Sequence, residues 1–226
     1  MTVRAFIFDL DGTLIDSEIL WVNAMVAYLA DRQCECPRNM MMQIVFGRSW
    51  LDIHREITER FPAVASVPRQ QMADELRDYY VEQCKKADSI LIPSSVALLK
   101  ALAKDYPVIV VSGSPRDDVA EAVRLMGAES SVRFVLGAED YSPGKPSPAG
   151  FLMGAQLLEV APGECVVFED SWAGVTSAKT AGMMCVALSR PTENPQDLAA
   201  ADLVLEDLAD FSVEKLYCAC TTKKIQ

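Results

Sequence analysis

Short apolar runs alternate along this chain with longer stretches whose apolar residues recur every three or four positions. The runs Ala5–Leu10, Val108–Ser112, Arg133–Leu136, Cys165–Phe168, Met184–Leu188 and Leu203–Leu205 are predicted strands. Between them, Ser95–Lys104, Arg116–Met126, Pro148–Leu158 and Gly174–Ala181 carry helical spacing, and Gly127 and Gly182 stand where two of these helices should stop. Apolar strands alternating with helices predict an α/β fold, a doubly wound parallel sheet covered on both faces. From Asp16 to Asp88 the pattern is helical throughout, and this run of about seventy residues far exceeds the dozen or so that a crossover needs. The expected organisation is therefore an α/β core of residues 1–15 and 89–217, an inserted α-helical domain of residues 16–88, and a frayed polar tail of residues 218–226.

Composition narrows the classes of partner. The 226 residues carry a net charge of −11, which opposes binding to nucleic acid or to an anionic membrane. No apolar run approaches the roughly 18 residues of a membrane span, and the N-terminus does not read as a signal peptide. Seven cysteines, an odd number, fit a reducing cytosol, so a cytoplasmic protein is expected, with a monomer as the default. Cys165 and Cys185 fall in apolar runs and read as buried thiols. The pairs Cys34/Cys36 and Cys218/Cys220 read as reduced, solvent-near thiols rather than zinc ligands, because His54 is the single histidine and lies far from both in sequence.

The chemistry gathers at strand ends. In an open parallel sheet, ligands bind beyond the carboxyl ends of the strands, near the switch point. There this chain places Asp9 and Asp11, then Ser112-Gly113-Ser114, then Glu169-Asp170-Ser171, with Lys145 in the loop SPGKPSP. Asp9, Glu169 and Asp170 offer hard oxygen ligands suited to magnesium. Without a cation, so many carboxylates would repel, and some would stay protonated. A cation and a lysine together attract a dianion, most simply phosphate. Ser112 and the backbone N–H groups around Gly113 can cradle its oxygens, and Lys145 can neutralise charge that develops in transfer. Of the two aspartates, one can attack while the other moves a proton.

Taken together, the segments DLDGT, VVSGS, GKPSP and FEDSWAG resemble the haloacid dehalogenase superfamily of phosphatases, in its beta-phosphoglucomutase-like branch, over about residues 3 to 210. That resemblance implies a Rossmann-like core with a helical cap inserted after the first motif. It implies Asp9 as the nucleophile that becomes an aspartyl phosphate, and Asp11 as the general acid and base. Ser112 and Lys145 would bind the phosphoryl group. Magnesium would be held by Asp9, the Asp11 backbone carbonyl and Asp170, with Glu169 in or beside the coordination shell. Dehalogenation is disfavoured, because members with that activity lack the magnesium-binding arrangement.

The organic part of the substrate should be read by the cap. The stretch VFGRSWLDI resembles a loop that such caps lower onto the site; Gly47 would allow a tight turn and Arg48 would meet an anionic or hydroxyl-rich group. DSEILW is similar to the corresponding stretch of sugar-phosphate and hexitol-phosphate phosphatases. Beta-phosphoglucomutases carry histidine where Trp21 stands and arginine where Trp50 stands, although Trp21 can equally be a packing residue. The expected activity is therefore hydrolysis of a small phosphorylated metabolite, with a sugar-phosphate mutase as the alternative and a silent binding protein as the third reading.

Overall fold

The computed structural model describes residues 2–45, 50–86, 90–190 and 196–222, so Gly47 and Arg48 lie outside the described residues. Along the chain come β1 (Ala5–Phe8), α1 (Ser17–Ala30), α2 (Arg38–Val45), α3 (Trp50–Arg60), α4 (Arg69–Lys86) and α5 (Pro93–Leu102). They are followed by β2 (Val108–Val111), α6 (Arg116–Leu125), β3 (Phe134–Leu136), α7 (Ala149–Leu157), β4 (Cys165–Glu169), α8 (Trp172–Thr180), β5 (Met184–Leu188), β6 (Leu203–Leu205) and α9 (Val213–Thr222). The chain divides into two compact units, one built on Met1–Ile15 and the chain from Leu91 onward, the other on Asp16–Ile90.

In the first unit the six strands form one sheet in the order β3-β2-β1-β4-β5-β6, every neighbouring pair parallel. The chain lays β2 and β3 to one side of β1 and then crosses to begin β4 on the other. The switch point therefore falls between β1 and β4, where Ile7 lies opposite Val167 and Phe8 opposite Phe168. Alternation along β1 sends Ala5 and Ile7 into one buried layer with Ile109, Val167 and Phe151. Phe6 and Phe8 go to the opposite face, where Phe8 stacks on Phe168 at 4.4 Å and Phe168 meets Phe211 edge-on at 4.9 Å. With both faces covered, the strands carry no polar alternation, which is why they read as continuous apolar runs.

The second unit is helical. Tyr28, Met41, Ile44, Ile57 and Leu76 are among its fully buried side chains. Trp21 stacks on Tyr80 with ring centroids 4.2 Å apart, which fits the packing reading of that residue. His54 bonds through Nε2 to the Val67 carbonyl at 2.9 Å, an ordinary structural tie for a helical histidine. Among the described residues no helix is long and apolar enough to cross a membrane.

Two expectations need correction. The chain from residue 218 to Thr222 does not fray but continues α9, because Leu216 and Cys220, one helical turn apart, are both buried. Likewise Cys36 and Cys220 are buried rather than solvent-near: Cys36 joins the core of the helical unit, and Cys220 lies two positions from exposed Cys218 and so on another face of α9.

Candidate active site

β1 ends one residue before Asp9, whose N–H still bonds the Phe168 carbonyl at 3.0 Å and so aligns it with β4. The strand then stops abruptly. The N–H groups of Thr13, Leu14 and Ile15 converge on the Leu10 carbonyl, and Gly12 takes a φ of +83°. A side chain at Gly12 would meet more than that strain, since a Cβ there would lie 2.0 Å from an Asp170 carboxylate oxygen. This tight turn brings Asp9, Thr13 and Asp170 to one edge of the sheet, where the Thr13 hydroxyl reaches Asp170 Oδ1 at 3.4 Å.

Two clusters share that edge. In the first, the half-buried Lys145 donates through its ammonium to Asp9 Oδ1 and, at 2.6 Å, to Glu169 Oε1. The other Glu169 oxygen accepts from the N–H groups of Asp170 and Ser171 and from the Ser171 hydroxyl, all at 2.9 Å. Ser171 caps α8 by accepting from the Gly174 N–H at 3.0 Å, which is why this helix starts two residues earlier than its apolar spacing indicates. The loop that carries Lys145 is pinned by the Ser177 hydroxyl, which donates to the Ser147 carbonyl at 2.7 Å.

The second cluster follows β2. Asp11 Oδ2 accepts from the hydroxyls of Ser112 at 2.9 Å and Ser114 at 2.7 Å, while the Ser114 N–H donates to Ser112 Oγ at 2.9 Å. Asp9, Asp11, Ser112, Gly113, Lys145, Glu169 and Asp170 thus belong to one compact unit, at the ends of β1, β2 and β4 and in the loop before α7. The sequence places Ser114 and Thr13 at strand ends without marking a separate role for either, and it gives no sign of Tyr141. Ser114 was within reach as the second hydroxyl of the Ser-Gly-Ser turn, whereas Tyr141 carries no motif.

Electrostatics explain why this site suits a cation. Burial pushes the Asp9 carboxyl up to about 8; Lys145 opposes the shift, and Glu169 and Asp11 add to it. Burial would lower the Lys145 ammonium, but Asp9 and Glu169 outweigh it and hold the amine above its ordinary range. One ammonium therefore faces several carboxylates, with negative charge left over. Carboxylate oxygens of Asp9, Glu169 and Asp170 lie within 4.8 Å of one another, a set of hard donors that fits a divalent cation.

A model of the haloacid dehalogenase-like hydrolases matches residues 3–182. Hexitol phosphatase A of Escherichia coli (strain K12) is 33% identical over 231 residues, covering 95% of this chain and 96% of that protein. Validoxylamine A 7'-phosphate phosphatase of Streptomyces hygroscopicus subsp. limoneus is 31% identical over 208 residues, covering 92% and 95%. Among solved structures, beta-phosphoglucomutase from Clostridium difficile superposes with a TM-score of 0.77 at 24% identity over 100% of both chains, a likeness of fold.

Proposed function

The chain belongs to the haloacid dehalogenase-like hydrolase family, and from that premise we propose that it hydrolyses a sugar or sugar-alcohol phosphate through a phosphoaspartyl intermediate on Asp9. It is a phosphoric monoester hydrolase, the class to which its named phosphatase relatives belong. The observation that carries the finer reading is the pairing of the Asp9–Lys145–Glu169 cluster, its two carboxylates buried, with the Ser112-Gly113-Ser114 turn at the same sheet edge.

Each residue then has a task. Asp9 Oδ attacks phosphorus, the ester oxygen departs, and Asp11 gives that oxygen its proton, a contribution of roughly 10²–10⁴-fold. Asp11 next takes a proton from water, whose oxygen attacks the aspartyl phosphate and releases inorganic phosphate, regenerating Asp9. The Ser112 and Ser114 hydroxyls hold Asp11 in place, and on substrate binding the Ser112 hydroxyl would turn its single proton from Asp11 to a phosphoryl oxygen. Lys145 neutralises charge on the transferring group, and Glu169, engaged by four donors, keeps the lysine in place. Magnesium fits Asp9, Asp170 and the Asp11 carbonyl, with Glu169 beside them, and supplies positive charge to the phosphoryl oxygens when bound.

Two outcomes follow from this reading. A panel of phosphorylated hexoses, pentoses and hexitols should show turnover with magnesium and none after chelation. Phosphorus NMR on glucose 1-phosphate should show inorganic phosphate as the new species; accumulation of glucose 6-phosphate would instead establish the mutase. The second outcome concerns protons. Free of metal near pH 7, Asp9 retains a proton because its pKa stands at about 8. Magnesium binding should therefore release a proton at that pH, with affinity rising with pH and levelling off above about 8. Calorimetry in buffers of different ionisation enthalpy counts the released protons, and a count of zero at pH 7 would mean that Asp9 is already ionised before the metal binds.

A further inference from the structure

Tyr141 belongs to none of the four motifs, yet its buried hydroxyl donates to the Ser112 carbonyl at 2.9 Å. The remaining polar atoms of Ser112 are already fixed. Its N–H bonds the Leu136 carbonyl at 3.0 Å, and its hydroxyl lies between Asp11 and the Ser114 N–H. The carbonyl is what Tyr141 holds. A trans peptide is a rigid plane whose C=O and N–H point in opposite directions, so fixing the Ser112 carbonyl also fixes the direction of the Gly113 N–H. That N–H has no acceptor among the described residues, Gly113 is exposed, and nothing stands within 4 Å of where its Cβ would be.

We propose that Tyr141 is a positioning residue: its hydrogen bond aims and polarises the Ser112–Gly113 peptide, presenting the Gly113 N–H as a preset donor to a phosphoryl oxygen. Two further observations support this. A Cβ at Gly150 would lie 2.7 Å from Tyr141 Cζ, so the glycine on α7 makes the space the ring needs. Tyr141 also precedes Lys145 in the same loop, so one segment orients both the amide and the ammonium that a phosphoryl group would meet. Burial, opposed by Lys145 and reinforced by Asp9 and Glu169, raises the phenol pKa and keeps the hydroxyl a donor. A donor polarised from behind binds a developing negative charge better than a free amide does.

The inference rests on the phosphatase reading, and its test keeps the two apart. Tyr141→Phe preserves the ring beside Gly150 and removes only the hydroxyl. Loss of an oxyanion donor costs roughly 10²–10³-fold, and loss of its support should cost part of that, about 10–10²-fold. The expected result is a fall of that size in kcat for p-nitrophenyl phosphate, with KM nearly unchanged and inhibition by vanadate weakened in parallel. A merely structural tyrosine would lower the thermal midpoint and leave kcat and vanadate affinity per folded molecule as in the wild type, which would overturn the proposal. Absence of turnover by the wild type would defeat the phosphatase reading alone. The Gly113 amide resonance in ligand-free protein then still decides for Tyr141. It should move upfield in Tyr141→Phe, and an unmoved resonance would overturn the proposal.

Discussion

Asp9→Asn should abolish phosphomonoester turnover, a loss on the order of 10⁴–10⁶-fold, while the fold persists. The loss follows from chemistry: a carboxamide oxygen does not form the acyl phosphate that the proposed route requires. Persistence of the fold follows from electrostatics. Burial pushes Asp9 up to about 8, so metal-free protein at pH 7 already holds it largely as the neutral acid. Asparagine is close in shape to that acid and still offers Lys145 an acceptor oxygen. Because the folded pKa lies above the ordinary 3.8, the contribution of Asp9 to stability is full below that value and is lost as pH rises through about 8. Asparagine loses nothing over that window, so without metal the variant should match the wild type below about pH 4, melt at a higher temperature at pH 7, and keep a constant lead above about pH 8. Rapid acid quenching of the wild type with labelled substrate should trap a hydroxylamine-sensitive phosphoprotein that the variant never forms. Retained hydrolysis of an aryl phosphate by the variant would remove Asp9 as nucleophile.

The residues that could be read directly were those whose position at a strand end conflicts with their chemistry. Asp9 follows a strand whose other side chains are all buried, so a carboxylate there stands out. Glu169 and Asp170 close β4 in the same way. The parallel sheet was equally legible, since two-sided burial leaves its strands without polar alternation. What escaped was whatever depends on a partner distant in sequence. Tyr141 acts through a backbone carbonyl 29 residues away, and no side-chain pattern marks a carbonyl acceptor. The deep engagement of Glu169 by two N–H groups and a hydroxyl needed the cap of α8 to be seen. The residues after Cys218 look polar enough to fray, yet Leu216 and Cys220 anchor them. Short hydrophobic intervals are legible when many of them repeat, whereas a single i, i+4 pair in a polar tail is not.

Lys145→Met separates the electrostatic role of this lysine from its bulk. Methionine fills a similar volume, but Asp9 and Glu169 then face one another without their shared ammonium. Removing one partner of a buried ion pair costs about 3–5 kcal/mol, because the remaining charge is stranded. The lysine side chain is 15% exposed and the carboxyl partners 7% and 1%, so solvent screens little of this. The cost should depend on pH in a definite direction. In the wild type the amine is held above 10.5, so its contribution to stability is complete below that pH and is lost only above it. In the variant the influence that lowers the Asp9 pKa is gone, and the folded state clings to carboxyl protons that the unfolded chain gives up near pH 4. Stability of the variant therefore falls as pH rises, and its gap from the wild type should widen above about pH 8, where wild-type Asp9 has given up its proton and the variant has not. Magnesium should narrow that gap by returning positive charge to the carboxylates, yet leave turnover reduced by roughly 10²–10³-fold for want of the charge that Lys145 places on the transferring group. Thermal midpoints on both sides of that pH, with and without magnesium, measure both effects. A gap that is constant in pH would mean that Lys145 supports the site by packing against Phe151, 5.0 Å away, rather than by charge.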